Sequence, residues 1–600
     1  MAVPSFKEDH ISQLPALKML MNMGWKYISP EQALEARGGR TSNVLLETIL
    51  KNQLQFINTI EYKGKEFPFS DANINNAILA IRDLPIQDGF IAANKAFYEL
   101  ITLGRSFEQS ILGDKKSFSF HYIDWKHPEN NTYHVSEEFS VLRSGSSEHY
   151  RLDIVLFING IPVVVIECKS PQIKDPIDKS IEQHLRNQQE DGIRALYQYS
   201  NLAMGLATHE AKYATTATQK EFWSFWKELF KTKAEETAWL DKLQALKNKP
   251  LPNNERTTLF QERYKNVWTF FQDLEKEEQA VTEQDKLLFS ICKPERLLDL
   301  FFNFTLYDDG IKKVTRYQQY FAVHNTLDKV VKTDSEGLRK GGVIWHTQGS
   351  GKSLTMVMLA QLIATHPQIK NPKIILVTDR IDLDDQITET FKKCQIPVEN
   401  AQTGKHLVEL LSGTGDTVIT TLIHKFEAAV NQAKEGFDSP DIFVLVDEGH
   451  RSQYGTFNIK MQKVFPKGCF IAFTGTPLMK KEKSTANRFG GLIDVYSITD
   501  AVEDGAVVPL LYEGRHNLIE VNEKPLDNYF DRISEPLTPY GKAALKRKFS
   551  STNQLNKAEE IIYARAWDIS DHYEQNVQDI LFGSLKAKGQ LVAPNRQNNL

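Results

Sequence analysis

The stretch from Val343 to Thr355 constrains this chain most, because its residues predict a strand, a glycine-containing turn and a helix in succession. The turn contains Gly349 and Gly351 and ends in Lys352-Ser353, which completes the Gly-Lys-Ser of a Walker A motif. Backbone N–H groups of such a turn curl around phosphate oxygens, and the N-terminus of the following helix adds partial positive charge. The stretch therefore predicts a phosphate-binding loop.

In this loop, Lys352 is expected to reach the β- and γ-phosphates of ATP, and the Ser353 hydroxyl is expected to ligate Mg²⁺. His346 departs from the motif, because it stands where the first glycine usually lies. A chance glycine turn before a core helix is the alternative interpretation. The predicted nucleotide-binding residues of the loop are Gly349, Ser350, Gly351, Lys352 and Ser353.

The composition is that of an ordinary soluble protein, with 41% hydrophobic and 25% charged residues. A chain of 600 residues is too long for one hydrophobic core, so we expect roughly three or four domains. The formal charge of −5 means that nucleic-acid binding would have to use local basic patches. The four cysteines include no CxxC pair, which argues against zinc and disulfides. With neither a secretory signal nor a membrane-length apolar run, the sequence predicts a cytoplasmic protein without membrane partners.

A second motif follows the loop. Strands alternate with helices from about 340 to 500, which predicts a doubly wound parallel sheet. The apolar strand at 442–446 delivers Asp447 and Glu448, which predicts a Walker B motif: Asp447 would hold Mg²⁺, and Glu448 would orient or deprotonate the attacking water. Gln319, upstream of the loop, is our candidate for reading adenine, and a surface glutamine is the alternative. The predicted strands of this sheet are 343–345, 373–378, 417–420, 442–446 and 469–473.

A different chemistry is predicted around residues 151–169. Asp153 lies in one apolar strand, and Glu167 and Lys169 end the next, on one face of it because strand side chains alternate. Two carboxylates with a lysine are what metal-assisted phosphodiester hydrolysis requires: the acids hold Mg²⁺, and the lysine positions or activates the nucleophile. The alternative is a solvated strand face, but strands this apolar are expected to be buried, where charges need partners or a metal.

The strand register decides whether this second site exists. A two-residue Asn159-Gly160 turn between unbulged strands would place Asp153 opposite Ile166, on the wrong face for Glu167. A three-residue loop centred on Gly160 would place Asp153 directly opposite Glu167. We predict the three-residue loop.

The order of motifs resembles that of superfamily 2 helicases and translocases. The resemblance implies that Asp379-Arg380 and Thr420-Thr421 lie in segments near the nucleic-acid strand, and that Thr474-Gly475-Thr476-Pro477 couples hydrolysis to domain movement. Combined with Asp153, Glu167 and Lys169, the pattern closely resembles the R (motor and restriction) subunit of type I restriction enzymes, HsdR. That family joins a PD-(D/E)xK nuclease domain to a motor with two RecA-like lobes.

The resemblance to HsdR adds further expectations. A Gln-x-x-x-Tyr motif usually follows the lysine on a helix, and Gln183 matches its glutamine while Asn187 replaces its tyrosine. The implied partners are double-stranded DNA and the methyltransferase (HsdM) and specificity (HsdS) subunits. The alternative is a stand-alone superfamily 2 helicase or remodeller whose N-terminal domain binds DNA without cutting it. A third, less favoured, hypothesis is an interaction scaffold with degenerate sites.

The predicted architecture is α/β, with a restriction-endonuclease-like nuclease domain, a RecA-like lobe and the start of a second lobe. Because little sequence remains for the second lobe, we expect the 600 residues to be an N-terminal fragment that hydrolyses ATP feebly or not at all. The predicted domains are a nuclease domain with N-terminal helices at 1–215, a helical connector at 216–300, the first lobe at 301–500, and a linker with the beginning of the second lobe at 501–600.

Overall fold

A computed structural model describes most of the chain, which divides into two compact units, 1–507 and 508–600. Residues 448–461, which begin with Glu448 of the Walker B motif, and residues 477–488, which begin with Pro477 of the Thr-Gly-Thr-Pro motif, lie outside the described residues. The described residues are 7–260, 264–265, 267–413, 415, 418–425, 437–447, 462–476, 489–509, 512–514, 523–549, 559–582 and 585–591.

The N-terminal part mixes helices with two hairpins, whereas the sequence predicted helices alone for residues 1 to about 110. The hairpins are ordinary consequences of tight turns, since Lys63-Gly64 and Leu112-Gly113 all adopt positive φ. The elements are a π-helical turn Asp9–Gln13, α1 Leu14–Asn22, β1 Lys26–Tyr27, α2 Pro30–Ala36, α3 Glu47–Ile57, β2 Thr59–Tyr62, β3 Lys65–Pro68, α4 Asp71–Arg82, α5 Phe90–Leu103, β4 Arg105–Ile111 and β5 Asp114–Phe120.

A six-stranded mixed sheet follows, in the order β1-β6-β7-β8-β9-β10. Its central strand β8 is buried along its whole length, as the unbroken apolar run predicts, and pairs antiparallel with β7 and parallel with β9. The new elements are β6 Tyr133–Leu142, β7 His149–Ile158, β8 Ile161–Cys168, α6 Pro176–Asn187, α7 Arg194–Tyr197, β9 Leu202–Leu206 and β10 Ala211–Ala214.

Helices and one hairpin connect this sheet to the next. Hydrogen bonds connect this hairpin to α5 and to β10 of the first sheet. Tyr307 of the hairpin donates to Asn94 Oδ1 at 2.7 Å, and Tyr213 of β10 donates to the carbonyl of Thr315, which follows the hairpin, at 2.7 Å. The connecting elements are α8 Lys233–Asn248, α9 Asn253–Phe260, α10 Trp268–Leu274, α11 Glu283–Ile291, α12 Pro294–Asn303, β11 Thr305–Asp308 and β12 Ile311–Val314.

The second large sheet has seven parallel strands in the order β15-β16-β14-β17-β18-β13-β19, with helices between them in sequence. The predicted doubly wound sheet is confirmed, and short edge strands at each side were not predicted. Its elements are α13 Tyr317–Val330, β13 Gly342–His346, α14 Lys352–Thr365, β14 Lys373–Thr378, α15 Ile381–Lys393, β15 Val398–Asn400, α16 Gly404–Ser412, β16 Val418–Leu422, β17 Ile442–Asp447, β18 Cys469–Thr474, β19 Leu492–Tyr496 and α17 Ile498–Glu503.

The described part of the second unit is helical, with one short hairpin. A strand was predicted at 590–593, but Gln590 and Leu591 are not in a strand, and residues 592–600 lie outside the described part. The elements are α18 Glu523–Ser534, α19 Pro539–Phe549, α20 Glu559–Asn576, β20 Leu581–Phe582 and β21 Leu585–Lys586.

Candidate active sites

The β7–β8 hairpin brings Asp153 opposite Glu167 by a route that the sequence did not predict. Asn159 and Gly160 form a two-residue turn, with φ of +54° and +82°, between the paired residues Ile158 and Ile161. The predicted three-residue loop is therefore wrong. However, the register shifts between Leu156 and Phe157. Phe157 pairs with Pro162 and Leu156 pairs with Val164, which leaves Val163 as the extra residue of a β-bulge.

The bulge has the same effect on register as the predicted loop. Beyond it, Ile154 pairs with Ile166, so the next step along both strands places Asp153 opposite Glu167. The backbone N–H of Cys168 donates to Asp153 Oδ2 at 2.6 Å, which joins the two strands at this point. The two acids thus meet where the middle of β7 lies beside the end of the buried strand β8.

Both carboxyl groups are poorly solvated. Glu167 is fully buried, and burial followed by the neighbouring Asp153 charge raises its pKa well above the usual range. Burial also raises the pKa of Asp153, although Lys169 and the Cys168 N–H oppose this. Two acids held together in this way bind protons or a cation more readily than exposed acids do.

Lys169 supplies the positive charge between these acids. Its Nζ donates to the Cys168 carbonyl at 2.6 Å and lies 3.8 Å from Asp153 Oδ2 and 4.0 Å from Glu167 Oε2. Burial lowers the pKa of Lys169, but the surrounding carboxylates outweigh burial and the net shift is upward. The ammonium is therefore held protonated beside the carboxylates.

Helix α6 contributes Gln183 to the site. Its Nε2 donates to Glu167 Oε2 at 2.6 Å, and the Ser180 hydroxyl donates to the Glu167 carbonyl at 3.2 Å. Asn187, which stands at the tyrosine position of the family motif, reaches Glu167 Oε1 only at 3.5 Å. Gln183 is thus the helix residue that orients Glu167 most directly.

Three residues of this site were not predicted from the sequence. Glu8 Oε2 lies 3.6 Å from Lys169 Nζ, and Gln13 Nε2 donates to the Asp153 carbonyl at 3.1 Å, although we expected no chemistry in the N-terminal segment. Glu138, with φ of +47° inside β6, lines the same cavity of about 360 Å³ as Glu8 and Asp153. Glu138 lies on the strand paired with β7, and that pairing is a feature of the tertiary structure that no sequence pattern indicated.

The donor set fits Mg²⁺. Asp153 and Glu167 offer carboxylate oxygens, and Mg²⁺ is usually held by one or two carboxylates together with water and phosphate oxygens. Within the described ranges, no three or more His, Cys, Asp or Glu side chains form a metal-binding group. The site therefore fits a cation that takes its remaining ligands from water and substrate.

The strand, turn and helix predicted around the candidate phosphate-binding loop are present, as β13, the turn at 347–351 and α14. Gly349 and Gly351 have φ of +84° and +86°, and α14 begins at Lys352. Lys352 Nζ donates to the carbonyl of His346 at 3.2 Å and to that of Thr347 at 3.5 Å. The turn thus contains two glycines with positive φ and places its lysine at the N-terminus of a helix, where the partial positive charge favours an anion.

Gln319 and Asp447 lie on elements that border this loop. Gln319, in the first turn of α13, donates to the Gly351 carbonyl at 3.1 Å and accepts from the Arg316 N–H at 2.9 Å. Asp447 ends β17, which is separated from β13 by one strand, β18. Ser353 lies in the first turn of α14. Glu448 lies outside the described residues.

The threonines assigned to a nucleic-acid segment are buried. Thr420 and Thr421 are both 0% exposed, and the Thr420 hydroxyl is held by Asn400 Nδ2 at 3.0 Å and Thr388 Oγ1 at 2.9 Å. The Thr420 side chain therefore connects β16 to α15 and to the edge strand β15 inside the protein. Arg380, at the start of α15, is exposed.

Two family models match the chain in separate segments. The model for the type I restriction enzyme R protein N terminus matches residues 5–222, and the SWI2/SNF2 ATPase model matches residues 318–543. These segments contain the acid–lysine site and the phosphate-binding loop, respectively. No described helix has the length and apolar character needed to cross a membrane.

Individual relatives agree with the family models. The chain is 28% identical to a candidate type I restriction enzyme endonuclease subunit, MjaIXP, of Methanocaldococcus jannaschii, over 95% of this chain and 52% of the relative. It is 27% identical to the type I restriction enzyme HindI endonuclease subunit of Haemophilus influenzae, over 98% of this chain and 53% of the relative. The chain thus spans about half the length of these curated relatives.

A solved structure of a nuclease-deletion mutant of the Type ISP restriction-modification enzyme LlaGI, in complex with a DNA substrate mimic, matches with a TM-score of 0.27. Its sequence identity is 17%, over 44% of this chain and 25% of that one. The resemblance to type I restriction R subunits that the motifs indicated is confirmed by the family models and the curated relatives.

Proposed function

We propose that this HsdR-like chain cleaves double-stranded DNA at Asp153, Glu167 and Lys169, and that it uses ATP at the Gly349–Ser353 loop to move DNA. The observation that carries the nuclease proposal is the convergence of the buried Glu167 carboxyl, the mostly buried Asp153 carboxyl, a lysine and an orienting glutamine where the middle of β7 meets the end of β8. A fully buried acid such as Glu167 beside a second acid would only destabilise the sheet if it had no functional partner, so this pairing supports a catalytic site.

Each residue has a distinct part in the proposed cleavage. Asp153 and Glu167 would hold Mg²⁺, which when bound supplies positive charge at the scissile phosphate and lowers the pKa of water. Lys169, held protonated between the acids, would stabilise the negative charge that develops on the phosphate or orient the nucleophile. Gln183 holds Glu167 Oε2 and so fixes the direction of its other oxygen.

The proposed ATP site uses a separate set of residues. Lys352 would contact the nucleotide phosphates, and Ser353 and Asp447 would hold the Mg²⁺ that accompanies ATP. Glu448, next to Asp447 in the sequence, would orient the attacking water, and Gln319 would contact the adenine.

The proposed biological setting comes from the relatives. Their names describe endonuclease subunits of type I restriction enzymes. We propose that this protein likewise works with methyltransferase (HsdM) and specificity (HsdS) subunits in the cytoplasm. Those subunits would select the DNA site, while this protein pulls and cuts the duplex.

Nicking of supercoiled plasmid in Mg²⁺ tests the nuclease. We expect nicking by the wild type and its loss in Asp153→Ala and Lys169→Ala. Glu182→Gln is the matched control, because Glu182 is exposed on the same helix as Gln183 and pairs with Lys179 at 2.8 Å. Equal nicking by all four proteins would reject the nuclease and favour the non-cleaving remodeller.

Calorimetry with MgATP tests the motor half separately. Binding by the wild type and its loss in Lys352→Ala would support the assignment of the loop. Absence of binding by both proteins would instead favour a scaffold with degenerate sites.

A further inference from the structure

We propose that His346 is a positioning residue of the phosphate-binding loop, which it fixes to the neighbouring strand β19 and helix α13 through Asp494. The inference rests on the assignment of this loop to ATP. It concerns a residue that departs from the loop motif, since His346 occupies the position where a glycine is usual.

The first contact is between the imidazole and a carboxylate. His346 is the last residue of β13 and is 0% exposed, and its Nε2 lies 2.7 Å from Asp494 Oδ1. The strands β13 and β19 run parallel, with His346 paired to Tyr496. A glycine at 346 would leave the Asp494 carboxylate, itself only 8% exposed, without this partner.

Asp494 extends the connection to α13. Asn325 Nδ2 donates to Asp494 Oδ2 at 3.0 Å. Asn325 lies on the helix whose first turn carries Gln319, and Gln319 Nε2 donates to the Gly351 carbonyl at 3.1 Å. The loop is therefore tied to α13 at both ends: at its start through His346 and Asp494, and at its end through Gln319.

Backbone contacts beside His346 depend on the same placement. The Thr347 N–H donates to the Tyr496 carbonyl at 2.9 Å, and the His346 carbonyl accepts from Lys352 Nζ at 3.2 Å. The Tyr496 ring packs edge-on against the imidazole at 5.8 Å. A shift of His346 would consequently move both the first amide of the loop and an acceptor of its lysine.

The energetics indicate a role other than packing. His346 Nδ1 is buried and has no hydrogen-bond partner in the described part of the chain, which costs stability. An apolar side chain would fill the same space without that cost. The buried His346–Asp494 pair therefore lowers the stability of the protein relative to an apolar residue, but it holds the start of the loop in one position. A fixed position suits a loop that must present its amides in one arrangement.

Amide hydrogen exchange without nucleotide or DNA tests the proposal directly. In His346→Gly, which restores the usual glycine, we expect protection of the amides at 347–352 to fall about tenfold. Asp494→Asn should have a similar effect, and adding it to His346→Gly should change little more, because both substitutions break one link. His346→Gln keeps a donor of similar reach and should restore most of the protection.

The control separates positioning from loss of stability. Asn58→Ala removes a buried amide that bonds the Leu54 and His121 carbonyls far from the loop. At equal loss of melting temperature it should leave exchange at 347–352 unchanged. Unchanged exchange in both His346→Gly and Asp494→Asn, or a change no larger than in Asn58→Ala, would overturn the proposal.

Nucleotide affinity gives a second readout, measured by calorimetry with the Mg²⁺ complex of ATPγS. We expect His346→Gly to weaken binding about tenfold and His346→Gln to restore it. Absence of binding by the wild type would reject the assignment of the loop to ATP, whereas equal binding by the wild type and His346→Gly would reject this proposal alone, so the two failures are distinguishable.

Discussion

The backbone N–H of Cys168 donates a 2.6 Å hydrogen bond to Asp153 Oδ2, and this bond joins β7 and β8 at the point where Asp153 meets Glu167. This bond forms because the bulge at Val163 shifts the strand register that the two-residue turn at 159–160 would otherwise set. The candidate nuclease site therefore depends on one extra residue in the same strand as Glu167. Bulges of this kind are found next to active sites, where they redirect side chains.

Gln183 and Asn187 should differ in their importance for cleavage. Gln183 Nε2 bonds Glu167 Oε2 at 2.6 Å, whereas Asn187 Nδ2 reaches Oε1 only at 3.5 Å. Residues that orient a metal-binding carboxylate are worth about 10–100-fold in activity. We expect Gln183→Ala to slow plasmid nicking by that factor and Asn187→Ala to slow it much less. Equal effects of the two substitutions would contradict this ranking.

Glu8 should contribute to the position of Lys169. Its carboxylate lies 3.6 Å from Lys169 Nζ and is part of an N-terminal segment that also bonds the Asp153 carbonyl through Gln13. Glu8→Gln removes the charge and keeps the shape, so we expect nicking to slow by about tenfold. Asp9→Asn is the matched control, because Asp9 contacts only His10 among the described ion pairs. A wild-type rate in Glu8→Gln would show that the contact is dispensable.

Gly351→Ala should disrupt the phosphate-binding loop. Gly351 has φ of +86°, which is strained for a residue with a Cβ, and an added Cβ 2.5 Å from Gln319 Nε2 would displace the amide that bonds the Gly351 carbonyl. We expect a loss of about 1–3 kcal/mol of stability and a weaker affinity for MgATP. Gly505→Ala is the control, because its φ is +65° but no atom lies within 4 Å of the added Cβ. Denaturant unfolding and calorimetry of both variants would distinguish steric conflict from backbone strain.

Lys312 should make stability depend on pH. It is fully buried with neutral acceptors, the Asn201 Oδ1 at 2.6 Å and the Ser200 carbonyl at 3.3 Å, and burial lowers its pKa far below the usual range. Between the folded-state and unfolded-state pKa values, the unfolded chain binds the extra proton. The stability contributed at this position therefore rises with pH and levels off near the unfolded value of about 10.4.

The comparison with Lys312→Met isolates this effect. We expect the unfolding free energy of the wild type, relative to Lys312→Met, to rise with pH by up to about 1.4 kcal/mol per unit. Urea unfolding at pH 7 and pH 9.5 measures it. Lys313→Met is the control, since Lys313 is partly exposed and pairs with Asp308. A difference independent of pH would mean that Lys312 keeps its proton in the folded protein.

Local patterns in the sequence predicted much of the fold. The strands of the parallel sheet and the loop at Gly349–Ser353 follow from hydrophobic periodicity and from glycines at positions with positive φ. The apolar run of β8 likewise predicted a buried strand, which carries Glu167 near its end and is followed directly by Lys169. These features depend on neighbouring residues, so the chain specifies them before it folds.

Tertiary structure decided how those parts meet. The sequence predicted that Asp153 faces Glu167, but this pairing is achieved by a bulge at Val163 and not by the predicted loop. The contact of Glu8 with Lys169 joins residues far apart in the chain. No local pattern indicates such a contact, because it exists only after the N-terminal segment has docked.

His346 shows the same division at a single residue. The sequence by itself determined that a histidine replaces the usual glycine before a phosphate-binding loop. Only the tertiary structure decided what that histidine contacts, because Asp494 comes from an edge strand that is adjacent in the sheet and distant in the chain. A motif can be recognised from a few consecutive residues, whereas the pairing of buried polar groups depends on which strands and helices pack together.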